Sequence, residues 1–260
     1  MKPNSRPGDR TMPNSPIAIA LSARWNTFPQ RFHWIAEHGF DLEYTPDPED
    51  LAKLPGHVDP ILARGVSVRY HGFFPGCELG HSDSGLAEKA LDLHKRTLET
   101  LEGHGEPVIT VHVGLDPDVE IEPRRVLENL SRLVEYGLGL GITVCLENLR
   151  RGPSSNPDTL LAWASESGAR ITFDAGHAVS SRIATSGAYS ALEFLDLVAD
   201  HVWEAHLYGT EQDRHYPIRS TEDCRPIVER LTKTACRWWT IELDDYREAL
   251  QTREILRYCL

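Results

Sequence analysis

After its first fifteen residues the chain repeats one alternation eight times, a short apolar run followed by a longer amphipathic segment. IAIALS precedes PQRFHWIAEHG, FDLEYT precedes HVDPILARG, and VSVRYH precedes LAEKALDLHKRTLETLEGHG. VITVHVG then leads to EPRRVLENLSRLVEYGLGLG, ITVCLEN to PDTLLAWASESG, and RITFDAGH to SALEFLDLVADH. VWEAHLYG with TEDCRPIVERLTK and RWWTIELDD with YREALQTREILRYCL complete the set. Nearly continuous apolar strands separated by helices require a parallel sheet covered by those helices. Eight such units predict an α/β chain closed into a single (β/α)8 barrel. The competing architecture, a doubly wound sheet, normally carries a Gly-rich phosphate loop after an early strand; no G-x-G-x-x-G or G-x-x-x-x-G-K-[ST] motif occurs. Several helical segments end in glycine (Gly39, Gly65, Gly105, Gly141, Gly168), where a helix stops in a left-handed residue before the next strand.

At 260 residues, 40% apolar and 25% charged, the composition is that of an ordinary globular protein with a sizeable core. The polar MKPNSRPGDRTMPNS predicts a disordered leader over 1–15 ahead of a barrel over 16–260. No run approaches the ~18 apolar residues of a membrane span. Five cysteines with wide spacing and no C-x-x-C pair predict buried thiols in a reducing cytoplasm. A formal charge of −12 opposes a polyanionic partner such as nucleic acid and leaves a small molecule as the expected substrate.

The chemistry is concentrated at the strand ends. His71 closes the third apolar run, His112 the fourth, Glu147 the fifth, Asp174 the sixth, His206 the seventh and Glu242 the eighth. In a closed barrel those ends converge on the C-terminal face, the mouth that carries the active sites of this fold. His177 follows Asp174 by three residues, and Asp213 and His215 lie on the loop after the seventh strand. Any one of these taken alone is more often a hydrogen-bonded structural residue. Together, four carboxylates and five imidazoles facing one another without cations would suffer desolvation and mutual repulsion, and divalent metal resolves both. The remaining histidines (His33, His38, His57, His81, His94, His104, His201) fall on helices, loops or strand starts and read as structural or solvated. Trp238 and Trp239 read as barrel packing, and Glu43 as a polar barrel residue. Arg150 and Arg151 after LEN, with Arg214, are candidates to hold a substrate phosphate, and Arg182 and Arg219 add to a local basic patch at the mouth.

The motifs RYHGF, VHVG, CLENL, FDAGHA, HLYG with DRH, and TIEL resemble those of the xylose isomerase-like TIM barrels, a superfamily that includes apurinic endonuclease IV and many sugar isomerases and epimerases. The resemblance spans nearly the whole chain after residue 15. In its endonuclease-type form it implies two or three divalent metals, zinc or manganese: His71 and His112 on one ion, Glu147 bridging to a second held by Asp174, His206 and Glu242, and His177, Asp213 and His215 on a third. In its epimerase form it implies one ion among Glu147, Asp174, His206 and Glu242, with Glu147 and Glu242 moving protons beside a carbonyl. The leading expectation is a cytoplasmic metal-dependent hydrolase cleaving a phosphodiester in a small molecule, because five ligand-type residues exceed what a one-metal isomerase needs. The alternative is a one-metal sugar or sugar-phosphate isomerase or epimerase, and a third reading is a catalytically silent barrel that binds a metabolite.

Overall fold

A computed structural model describes residues 16–260, so the expected leader over 1–15 lies outside the described residues. The strands are β1 (Ala18–Arg24), β2 (Asp41–Thr45), β3 (Val68–Gly72), β4 (Val108–Val111), β5 (Thr143–Glu147), β6 (Arg170–Asp174), β7 (Val202–His206), the short β8 (Thr210–Glu211) and β9 (His215–Tyr216), and β10 (Trp238–Ile241). The helices are α1 (Phe28–Glu37), α2 (Leu54–Leu62), α3 (Ser84–Leu101), α4 (Pro123–Gly139), α5 (Pro157–Ser167), α6 (Ala175–Ser180), α7 (Arg182–Thr185), α8 (Ala191–Val198), α9 (Thr221–Leu231) and α10 (Tyr246–Cys259). Eight strands close in the order β1-β10-β7-β6-β5-β4-β3-β2, and every pairing in the barrel is parallel. This is the predicted (β/α)8 barrel. Two features were absent from the sequence reading: the two short helices α6 and α7 directly after β6, and the antiparallel β8-β9 hairpin after β7.

Local chemistry explains where the helices begin and stop. The Asn156 side chain accepts from the N–H groups of Asp158 and Thr159 at the start of α5, and Pro157 occupies the first turn, where its missing donor costs nothing. The same helix ends at Gly168, whose φ of 82° is the left-handed conformation expected of a terminating glycine. The apolar helix faces pack on the outward side chains of the strands, which include Ile109, Leu146, Ile171, Phe173 and Trp239.

The inward side chains are different. Because side chains alternate along a strand, residues two apart share a face, and the inward set begins with a polar layer. Arg69, Thr110, Thr172 and Glu204 meet there: Arg69 donates to Glu204 (3.2 Å), Thr110 donates to Glu204 (2.8 Å), and the Thr110 and Thr172 hydroxyls lie 2.6 Å apart. Trp238 packs against the Arg69 guanidinium and donates its indole N–H to Thr240. Two residues further along each strand stand His71, His112, Asp174, His206 and Glu242, in step with Arg69, Thr110, Thr172, Glu204 and Thr240. The same step from Cys145 reaches Glu147. The rim of candidate ligands is thus the next storey of a polar barrel interior.

Burial pushes the Glu204 carboxyl above its usual range, and the Arg69 cation pulls the other way. Removing that cation leaves a fully buried acid with only hydroxyl partners. Arg69→Met is therefore expected to cost about 3–5 kcal/mol of unfolding free energy, read from urea melts at neutral pH. A loss below about 1 kcal/mol would mean that Glu204 does not depend on Arg69.

Candidate metal centre

Register brings the rim residues together before any side chain is considered. Asp174 on β6 pairs directly with His206 on β7, and Thr240, two residues before Glu242, pairs with the same His206. His71 on β3 pairs with Thr110, two residues before His112. Glu147 ends β5 between these two halves.

Glu147 is the hub. Its Oε2 lies 3.0 Å from His112 Nε2, 3.4 Å from His71 Nε2 and 3.4 Å from His206 Nδ1, and its Oε1 lies 3.4 Å from His177 Nδ1. His71 and His112 face each other with Nε2 atoms 3.0 Å apart. Glu242 Oε1 stands 3.4 Å from His71 Nδ1 and 3.6 Å from His206 Nδ1. Donor atoms gather into overlapping groups within 4.8 Å: His71, His112 and Glu147; Glu147, Asp174 and His206; and Glu43, His71, His206 and Glu242.

A third group, His177, Glu211 and His215, shares His177 and His215 with the set expected around the DRH loop and brings Glu211 beside them. Glu211 and His215 are opposite partners across the β8-β9 hairpin, and cross-strand partners share a face. Asp213 sits in the turn between them, exposed, with its carboxylate accepting from the Tyr216 hydroxyl at 2.8 Å. It lines the mouth of the site but is not brought to His177 and His215; Glu211 occupies that place, with Oε2 3.3 Å from His177 Nε2. The alternation in TEQDRHY, with turn residues at its centre, is the signal that identifies Glu211.

Second contacts aim these donors. Nε2 of His206 is 3.0 Å from Glu43 Oε1, and a carboxylate can only accept, so the ring donates from Nε2 and turns Nδ1 to the rim. Glu43, read from sequence as a polar barrel residue, is that and also the residue that orients His206. Backbone carbonyls of Asn148 and Glu242 accept from Nδ1 of His177 (2.8 Å) and His215 (2.9 Å), which leaves Nε2 of each for the third group. Tyr208 stacks flat on His215, with centroids 4.0 Å apart. It can do so because Gly176 lies beneath it; a Cβ there would come within 2.0 Å of the tyrosine ring. The Asn148 amide donates to the Asp174 carbonyl while its Oδ1 accepts from the Asp174 N–H, and Asp174 caps α6 by accepting from the His177 N–H.

Two buried atoms at the centre, Asp174 Oδ2 and His206 Nδ1, have no hydrogen-bond partner. Buried polar atoms are rarely left so, and here both belong to one group of oxygen and nitrogen donors suited to a divalent cation such as zinc or manganese. The donor chemistry therefore fits a metal. Without one, the ring is held by protons. Burial lowers the His71 pKa, but Glu147 and Glu242 outweigh it and push it up to about 10; His177 rises to about 10 against burial through Asp174 and Glu147. His206 is raised well above its ordinary value, against burial, by Glu43, Glu147 and Glu242. Glu147 and Glu242 are lowered despite burial, chiefly by His206. Asp174 goes the other way, raised by burial to about 6, and His112 is lowered by burial.

The mouth is a cavity of about 500 Å³ that also exposes Arg24, Phe73, Asp213 and Arg214. Of the three arginines expected to hold substrate, Arg150 donates to the Glu211 and Gln212 carbonyls and pairs with the Glu211 carboxylate, so it fastens the hairpin. Arg151 is exposed and does not line the cavity, and Arg214 lines it but pairs with Glu248 at 2.8 Å. Arg219 lines a separate, mostly apolar cavity of about 380 Å³ on the far side of the hairpin. Trp238 and Trp239 are buried, as expected of packing residues, and all five cysteines are free thiols. Among the described residues, no helix is long and apolar enough to cross a membrane.

Comparison with known proteins follows the same lines. The sequence profile of the xylose isomerase-like TIM barrel matches residues 32–259. An uncharacterised protein of Methanocaldococcus jannaschii is 33% identical over 203 residues, covering 77% of this chain and 84% of that one. Among solved structures, D-psicose 3-epimerase crystallised in the presence of D-fructose superposes with a TM-score of 0.74 at 14% identity, covering 93% of this chain and 98% of that one. A Thermus thermophilus protein soaked with zinc chloride gives 0.71 at 17% identity, covering 94% and 98%. A Mycobacterium smegmatis barrel in complex with magnesium gives 0.66 at 15%, covering 94% and 96%. At these identities the structural likeness shows the fold.

Two outcomes are expected of the rim. Neighbouring carboxylates raise the pKa of His71 and His177, so metal competes with protons for these rings, and affinity for zinc or manganese should climb as pH is raised from 6 to 9, with protons released on binding. Titration in weakly buffered solution measures that release; pH-independent binding without release would contradict the proton-held ring. Glu43→Gln, which keeps an acceptor but removes the charge behind His206, should weaken metal binding about tenfold in a chelator competition. The melting temperature of the metal-free protein serves as the control for folding.

Proposed function

Because the chain belongs to the xylose isomerase-like TIM barrel family, we propose that it is a metal-dependent isomerase or epimerase of small sugars. One observation carries this reading: Glu147 and Glu242, both lowered in pKa, each bring a carboxylate oxygen within 3.6 Å of His206 Nδ1, in a rim that also holds the unpartnered Oδ2 of Asp174. Residues Glu147, Asp174, His206 and Glu242 would hold the cation. When bound, it would polarise a carbonyl and the adjacent hydroxyl and so acidify the C–H between them. One glutamate would then take the proton from carbon, and the other, once it has taken up a proton from solvent, would deliver that proton to the same carbon for epimerisation or to its neighbour for isomerisation, the first glutamate returning its own proton to solvent. Glu43 holds His206 through Nε2, so that Nδ1 faces both carboxylates. The sugar epimerases among the similar structures support this reading over phosphodiester hydrolysis, which led the sequence-based expectation. A small-molecule substrate suits both the cavity and the acidic chain, and the free thiols suit a reducing cytoplasm.

A second reading, cleavage of a phosphodiester in a small molecule, is favoured by one observation. His71, His112 and Glu147 form a donor group of their own, and His177, Glu211 and His215 another, which is more than one cation uses. The two readings separate in heavy water. An isomerase or epimerase should place solvent deuterium on the carbon of a ketose or ketose phosphate, detected by NMR, and Glu147→Gln should slow that exchange about 10²- to 10⁴-fold. Hydrolysis of a phosphodiester panel with no carbon exchange in any sugar would select the second reading. Glu211→Gln with His215→Ala sharpens the contrast: proton transfer by Glu147 and Glu242 should survive, whereas a hydrolase relying on the third group should lose most of its rate.

A further inference from the structure

The mouth of the rim holds a cation without an ion-pair partner among the described residues. Arg24 ends β1 and lines the cavity, and among the described residues no carboxylate lies within ion-pairing distance of it. The other arginines of the cavity are committed. Arg31 donates to three backbone carbonyls and pairs with Asp244 at 2.8 Å, and Arg214 pairs with Glu248. The exposed acid beside them, Asp213, is engaged by the Tyr216 hydroxyl.

Its position is also set. The Arg24 N–H donates to the Thr27 hydroxyl, which donates back to the Arg24 carbonyl, and the next N–H, of Trp25, donates to the Thr45 carbonyl of the neighbouring strand. The guanidinium lies over the Phe73 ring, 4.4 Å from its centroid. Phe73 in turn meets His112 at 5.7 Å and 90°, and His71 at 6.2 Å. One ring therefore separates the cation from the imidazoles of the rim. With its guanidinium carbon over the ring, Arg24 makes no side-chain hydrogen bond among the described residues, so its N–H donors remain to bind a pair of oxyanion oxygens.

We propose that Arg24 recognises an oxyanion group, a phosphate ester or a carboxylate, at the end of the substrate remote from the reacting carbon. Resting on the isomerase or epimerase reading, this makes the substrate class acidic sugars. The carbonyl end reaches the glutamates while the charged end rests beside Phe73 at the mouth.

The test compares D-fructose, D-fructose 6-phosphate and D-glucuronate with the metal-loaded wild type, Arg24→Met and Arg24→Lys, measuring dissociation constants by calorimetry and turnover in parallel. Wild type should bind at least one acidic sugar about tenfold or more tightly than D-fructose. Arg24→Met should abolish that preference while leaving the D-fructose constant within twofold, and Arg24→Lys should restore part of it. The acid that shows the preference distinguishes phosphate from carboxylate. A phosphate that reached the rim metals directly would bind wild type and Arg24→Met alike, and that result, or no measurable binding of any of the three sugars, overturns the assignment. Arg24-dependent binding without carbon exchange would sustain it and refute the isomerase reading. Exchange of an acidic ketose with a KM unaffected in Arg24→Met would do the reverse.

Discussion

Closing eight parallel strands forces six of their ends to deliver a ligand-type side chain to one rim a few ångströms across. In a low-dielectric interior, carboxylates gathered this tightly cannot remain ionised alone, and three of the imidazoles between them are pushed towards the charged form. The metal-free ring answers with protons: His71, His177 and His206 take them up, Glu147 and Glu242 give them away, and Asp174, whose Oδ2 has no partner, rises towards neutrality. A cation replaces that compromise with a single charge at the centre. The polar storey beneath extends the same logic downwards, since Glu204 is tolerable only beside Arg69 and two hydroxyls, and Glu43 only against His206.

Much of this was legible in the primary structure because period-two alternation survives in the letters. RYH, TVH, CLE, TFD, EAH and TIE each read as an inward residue, an outward apolar residue and a rim ligand, and a closed barrel needs no further information to bring the last letters together. The helix stops were legible for the same kind of reason, since Gly39, Gly65, Gly105, Gly141 and Gly168 all adopt positive φ.

What was not legible depends on contacts between distant segments. Glu211 joins the third donor group only because the chain folds back and sets it opposite His215, and Asp213 leaves that group because it falls at the turn. Arg150 follows a ligand motif closely, yet its guanidinium is consumed by carbonyls sixty residues away. Helices α6 and α7 leave no trace in the sequence pattern because they are short and carry no apolar period; α6 is started by Asp174, which is also a rim residue.

The hairpin differs in kind from the rim it serves. Six candidate ligands are tied to strand register, so moving any of them by one position would turn it to the outer face and expose the core to mismatch. Glu211 and His215 belong to a two-stranded flap that forms no part of the closed sheet. Its successive residues face opposite ways: Glu211 and His215 look to the rim, while Thr210, Gln212 and Tyr216 line the apolar cavity behind. Descent with modification can therefore edit, lengthen or discard the flap and so change how many cations the mouth accommodates, while the barrel that does the folding is inherited intact.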